Sequence, residues 1–256
     1  MQNIPHHWLT PILILLIITD GIGLLGINTG LFLGLQQVFA GIPDGVWAAI
    51  TILGDALIVT ALLSLLALRN PSILPLGFVA GIIATLLNRP LKLLLNVDRP
   101  FLALNEHLHV IGNHLQHFSF PSGHTTAIFM FAGVYTITFS SQKVFNAVFW
   151  LALLVGLSRI AVGAHWPMDV GMGAAVGWAA ALMAWKLLQY RQWQQRVMQS
   201  RPWQLSLWAI SLGAAIASFF LHTDYPQALN WQYALAVCTT IAALWGFWQS
   251  WHHPTP

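Results

Sequence analysis

Two histidines, two aspartates and three cations stand in three short stretches of this chain. The first holds Lys92 and ends in Arg99-Pro100. The second is Pro121-Ser122-Gly123-His124. The third runs from Ser158-Arg159 to His165 and Asp169. Lys92, Arg99 and Arg159 together suit a multiply charged anion, and the planar guanidinium fork favours bidentate binding of phosphate or carboxylate. Pro121 fits the start of a helix. The residues after it then offer free backbone N–H groups at a helix N-terminus, where anions bind, and Gly123 lets an oxyanion approach the backbone. Phosphate is the expected anion. His165 and Asp169 are four residues apart, so on a helix they share a face and the carboxylate holds one ring nitrogen. The other nitrogen is left as a nucleophile or base. His124, beside the anion-binding turn, is placed to protonate a leaving oxygen. Nucleophile, orienting carboxylate, acid and cationic cradle are the parts of a phosphoryl transfer in which cations do the electrostatic work of a metal.

What must position these groups follows from composition. Of 256 residues, 57% are hydrophobic and 7% charged, against about 25% charged in an ordinary soluble domain. Mean hydropathy is +0.69. This excludes a disordered chain, a disulfide scaffold and a typical soluble enzyme, and implies an all-α polytopic membrane bundle. The net charge of +3 is small, so the high isoelectric point does not argue for nucleic-acid binding. The lone Cys238 excludes an internal disulfide and a multi-cysteine metal site.

Eight apolar runs are long enough to span a bilayer: 10–35, 47–68, 73–95, 121–140, 144–163, 169–189, 203–222 and 231–250. The first lacks the basic start and cleavage site of a signal peptide. A hydrophilic linker, 190–202, separates a six-span core (1–189) from a two-span tail (203–256) of unknown role. Arg69, Lys143, Lys186, Arg191, Arg196 and Arg201 all fall on one side, which the positive-inside rule makes cytoplasmic, with both termini. The three chemical clusters then share the opposite, outer face. Trp8, Trp47, Trp166, Trp203, Trp231, Trp248 and Trp251 sit near run ends and read as interfacial anchors.

With these residues in place, the chain resembles the type 2 phosphatidic acid phosphatase family, membrane lipid phosphatases related to vanadium haloperoxidases. That family's pattern is Lys-x6-Arg-Pro, Pro-Ser-Gly-His and Ser-Arg-x5-His-x3-Asp. It is met by Lys92, Arg99 and Pro100; by Pro121, Ser122, Gly123 and His124; and by Ser158, Arg159, His165 and Asp169. The resemblance covers about residues 28–185 and not the last two spans. It implies that His165 forms a phosphohistidine, Asp169 orients it and His124 protonates the leaving group. Lys92, Arg99, Ser122, Gly123 and Arg159 hold the phosphate, and no metal or other cofactor is needed. Val97-Asp98 replaces a second Arg-Pro found in many relatives, and an acidic neighbour is expected to weaken the hold of Arg99. The implied activity is hydrolysis of a lipid phosphate monoester or diphosphate: undecaprenyl diphosphate, phosphatidylglycerol phosphate, phosphatidate or the lipid A 1-phosphate. Bacterial inner membrane is the expected location, with the site facing the periplasm or exterior. The sequence leaves the oligomeric state open. Two alternatives stand beside this reading: a lipid-to-lipid phosphotransferase using the same site, and an anionic-lipid transporter or flippase.

Other residues carry plainer expectations. Ser158 reads as a local hydrogen-bonding residue, Pro100 as a stop and Arg89 as a snorkelling cation. Asp20 and Asp55, inside apolar runs, are expected to be paired. His107, His109, His114 and His117 lack the companion residues of a metal site. Gly30-x3-Gly34 and Gly173-x3-Gly177 are spacings that let helices pack closely.

Overall fold

The computed structural model describes residues 6–104, 108–139, 142–191, 200–221 and 223–252, and all regular structure among them is helical. The helices are α1 (His6–Leu24), α2 (Asn28–Phe39), α3 (Asp44–Thr51), α4 (Ala56–Ala67), α5 (Ile73–Leu95), α6 (Pro100–Ala103), α7 (Gly123–Phe139), α8 (Gln142–Ala161), α9 (Pro167–Arg191), α10 (Arg201–Phe220) and α11 (Leu229–His252). Ser140, His222, His107 and residues 192–199 of the expected linker lie outside the described residues.

Helices this uniformly apolar bury one side in protein and present the other to lipid. Around the bundle, Leu24, Leu94 and Ile17 are 89%, 80% and 70% exposed. At the centre α7 packs against α9, α5 and α8, and α1 lies along α9. Glycines on α9 permit the closest of these approaches. A methyl at Gly173 would stand 2.6 Å from the Ser122 carbonyl, and one at Gly177 would collide with the Thr126 backbone. The second expected small-residue spacing is therefore a real α7–α9 contact. Gly30 and Gly34, in contrast, face open space within this chain. Trp178 fills the core beside Phe145 and Phe149 and donates its indole N–H to the Trp8 carbonyl at 2.8 Å. In the tail, α10 and α11 pair with each other and both rest on α4.

Two of the expected runs are broken. Run 10–35 divides at Gly26, which adopts φ +64°, and α1 and α2 meet at 108°. Run 47–68 divides at the 3₁₀ turn Ile52–Gly54, with a 67° bend into α4. There Asp55 is the N-cap of α4: its Oδ1 accepts the Leu57 N–H at 2.8 Å. It is a helix start rather than a charge paired inside a span. Asp20 is exposed on α1 and makes no ion pair among the described residues. Three stretches are each long and apolar enough to cross a membrane, Ile73–Ala103, Pro167–Gln189 and Arg201–Phe220, and the two bent pairs raise that to as many as five. Runs 121–140, 144–163 and 231–250 correspond to α7, α8 and α11. Trp47 and Trp166 are not surface anchors. Both are buried, Trp47 against Phe39 and Trp166 against Phe32. Trp203, Trp231, Trp248 and Trp251 are exposed.

Candidate active site

Each sequence cluster sits where a helix starts or stops. Lys92 lies in the last turn of α5, which ends at a left-handed Asn96. Its Nζ donates to the Phe118 carbonyl at 2.7 Å. Arg99 is the N-cap of α6, with Pro100 in the first turn. Residues 121–122 follow a cis Phe120–Pro121 bond and enter α7 at Gly123. Beyond α8 the chain reverses through Gly163, whose φ of +74° suits glycine. That reversal lets the Arg159 carbonyl accept from both Ala164 N and His165 N. Arg159 and His165, six positions apart, thus stand at one site.

At its centre His165 Nδ1 faces Asp169 Oδ2 at 3.2 Å, and both side chains are buried. His165 Nε2 lies 3.3 Å from Arg99 NH1. A guanidinium only donates, so Nε2 is the accepting nitrogen and Nδ1 carries the hydrogen given to Asp169. The partners therefore select the tautomer whose lone pair is on Nε2, where it accepts from Arg99. Burial, with the Arg99 and Arg159 charges next, holds the His165 imidazole well below its usual pKa. It stays neutral where an ordinary histidine is half protonated.

Asp169 Oδ2 accepts two further hydrogen bonds, from Ser119 Oγ at 2.5 Å and from Trp166 N at 2.8 Å. Ser119 also stands 3.4 Å from His165 Nδ1. Sequence reasoning missed Ser119, which belongs to no spaced motif. Arg99 is fixed by backbone carbonyls: Nε donates to His117 and NH1 to Ala164, both at 3.0 Å. Asp98, the acidic neighbour, does not face this guanidinium. Its carboxylate pairs with His117 Nδ1 at 2.9 Å, and its carbonyl accepts from Trp166 Nε1.

Arg159 is buried and held by side chains. NH1 donates to Thr51 Oγ1 at 2.6 Å and to the Tyr225 hydroxyl at 2.5 Å, while Nε has no partner. Thr51 and Tyr225 are two more residues the spacing of motifs did not reveal.

Ser122 acts within its own turn: its N–H donates to the Asp169 carbonyl at 2.9 Å and its Oγ accepts from Thr125 Oγ1 at 2.9 Å. Ser158 donates to Val155 O and is a local helix bond, as expected. Gly123 has open space where a Cβ would be. His124 follows it on α7, its backbone against Gly54 at the break before α4.

The remaining loop histidines diverge: His109 pairs with Asp44, His117 with Asp98, and His114 stacks on Phe101.

Residues 73–193, which contain all three clusters, match the family model described as PAP2 superfamily. That segment, just under half of the chain, carries the similarity to the PAP2 superfamily. Among curated relatives, the lipid A 1-phosphatase of Rhizobium etli is 40% identical over 67 residues, 26% of this chain and 28% of its own length. Undecaprenyl-diphosphatase BcrC of Bacillus subtilis is 34% identical over 92 residues, 36% of this chain and 46% of its own. The chain thus matches about a quarter to a half of the length of these two relatives. Among solved structures, LpxE of Aquifex aeolicus is 27% identical with a TM-score of 0.55, covering 62% of this chain and 95% of that one. The PAP2-type phosphatidylglycerolphosphate phosphatase of Bacillus subtilis, at 21% identity and a TM-score of 0.51, shares the fold and covers 72% of this chain and 96% of its own. With its span-length apolar helices, this chain is an integral membrane protein.

Proposed function

We infer that this protein is a membrane lipid phosphatase working through a phosphohistidine. The observation that carries the reading is the pair of contacts on the His165 ring, Nδ1 to Asp169 and Nε2 to Arg99, which together leave the lone pair on Nε2. A phosphoryl group drawn to the cations meets that lone pair. Nε2 forms a bond to phosphorus while the bond to the lipid oxygen breaks, and His124 delivers the proton to that oxygen. Water then attacks the phosphorus and gives a proton to His124, the P–N bond breaks, and inorganic phosphate leaves with neutral His165 and protonated His124 restored. Lys92, Arg99, Arg159 and the N–H group at Gly123 carry the developing negative charge.

The substrate is a lipid phosphate monoester or diphosphate. A groove of about 620 Å³ supports this, running between α4, α5 and α7 from Lys92, Arg89 and Gly123 down to Leu63 and Gly77. Its walls are largely apolar, as a hydrocarbon chain requires. The named relatives put lipid A 1-phosphate and undecaprenyl diphosphate ahead of phosphatidylglycerol phosphate and phosphatidate as candidates. In this reading eight spans, six in the core and two in the tail, place the site at the outer face of a bacterial inner membrane, with both termini cytoplasmic.

The test is phosphate release by the purified full chain from each of the four lipids, with EDTA present and His165→Ala in parallel. Turnover that survives EDTA and vanishes in the variant is the expected result. A folded protein that releases nothing from any of them defeats the hydrolase reading.

A further inference from the structure

The two C-terminal helices lie outside the matched family segment, 73–193, yet the turn between them reaches the phosphate site. Tyr225 precedes the short helix Pro226–Ala228 in that turn and is 3% exposed. Its hydroxyl accepts from Arg159 NH1, and its ring lies 5.6 Å from the guanidinium carbon. The turn is built to hold this position. Gln232 of α11, itself buried, donates to the Ser218 and Leu221 carbonyls at 2.7 Å and accepts from Thr223 N at 3.1 Å. Asp224 accepts from Asn113 Nδ2 at 2.6 Å. Gly112, at φ +92°, makes the seat: a methyl there would stand 2.6 Å from the Asp224 carbonyl and 2.9 Å from the Tyr225 ring.

We propose that Tyr225 is a positioning residue for Arg159 and that the C-terminal helix pair completes the phosphate site. With Thr51 it occupies NH1 and so turns the guanidinium, leaving the buried, unpartnered Nε for a phosphate oxygen. A free arginine side chain loses rotamer entropy on binding; here two hydroxyls and an aromatic face have already ordered it. The tail therefore serves the site as well as the bilayer. The role of Arg159 in phosphate binding rests on the function proposed above; the placement of Tyr225 does not.

The experiment uses the full chain in lipid nanodiscs and two readouts, lipid phosphate turnover and calorimetric binding of orthovanadate, a phosphate mimic that needs no turnover. Tyr225→Phe keeps the buried ring and removes the hydroxyl. It should raise KM and weaken vanadate binding about 3- to 10-fold, with kcat changed less, as loss of one ordering hydrogen bond predicts. Gln232→Ala, which loosens the turn without touching Arg159, should shift both in the same direction. In an Arg159→Lys background, adding Tyr225→Phe should change vanadate binding less than about 2-fold, because the group it positions is gone. Unchanged vanadate binding in Tyr225→Phe, or effects that multiply in the double variant, overturns the proposal. Vanadate bound by a protein that turns over no lipid would refute the hydrolase reading alone.

Discussion

The two halves of the site are finished to different degrees. Around His165 the protein supplies partners on every side: Asp169 and Arg99 take the two ring nitrogens, and Ser119 and Trp166 N tie down the carboxylate. Elsewhere in the site two positions are left open, with unfilled space at Gly123 and no partner on Arg159 Nε. A nucleophile needs its orientation and protonation fixed before substrate arrives, whereas a phosphate-binding group needs at least one donor left unspent. In the proposed reading, saturation marks the reacting group and the unspent donors mark the place of the ligand.

The sharpest way to break that contrast is Asp169→Asn. The carboxamide can present an N–H to Nδ1 and so stabilise the tautomer that hides the lone pair. Phosphate release should fall about 10³- to 10⁴-fold, the scale seen when a catalytic histidine is held in the wrong tautomer. Gly123→Ala probes the open half. The methyl meets no protein atom, so the melting midpoint in detergent should move little. Occupying the oxyanion's approach should nevertheless lower turnover about 10²-fold, as loss of a transition-state donor does. Should activity survive, the cradle does not lie at Gly123. Gly173→Ala is the control: its methyl strikes the Ser122 carbonyl, so both stability and turnover should drop. Next comes Ser119→Ala, which removes one donor to a charged acceptor. Such a bond is worth about 1.5–3 kcal/mol, so turnover should fall at least about 10-fold; a silent variant would show that Asp169 is held well enough without it.

The smallest effect is a pH dependence. His165 is neutral in the folded protein, because burial and nearby cations depress its pKa. The unfolded chain takes up a proton there below about pH 6.5 and the folded chain does not. Unfolding is therefore favoured as pH falls through that value, and His165 contributes its full stability only above it. Between about pH 7.5 and 5.5 the melting midpoint should drop further for the wild type than for His165→Gln. Equal drops would mean that His165 takes up its proton in the folded state as readily as in the unfolded one.

Much of this was legible in sequence because the chemistry sits at fixed spacings. His165 and Asp169 share a helical turn, and Lys92, Arg99 and Arg159 stand near helix ends, so both patterns survive folding. Helix limits were legible too: the apolar run 73–95 is α5 itself. The bends were not, because hydropathy counts apolar residues and is blind to direction. Gly26 in the left-handed region and Asp55 after Gly54 were the available signals, a helix stop and a helix start. Trp47 and Trp166 misled because a tryptophan near a run end looks the same whether it meets headgroups or a neighbouring helix. Ser119, Thr51 and Tyr225 were invisible for another reason. Each is a single hydroxyl brought in from an unrelated segment, and only tertiary structure relates it to the motif it serves.

The groove along α4 and α5 has exposed Ile82 and Leu86 among its lining residues. A substrate entering there stays in the two dimensions of the bilayer. The concentration that such an enzyme senses is then a mole fraction of lipid, not an amount per volume of water. Diluting the substrate with inert lipid at constant bulk concentration should slow it, and diluting the whole suspension with buffer should not change the turnover per enzyme.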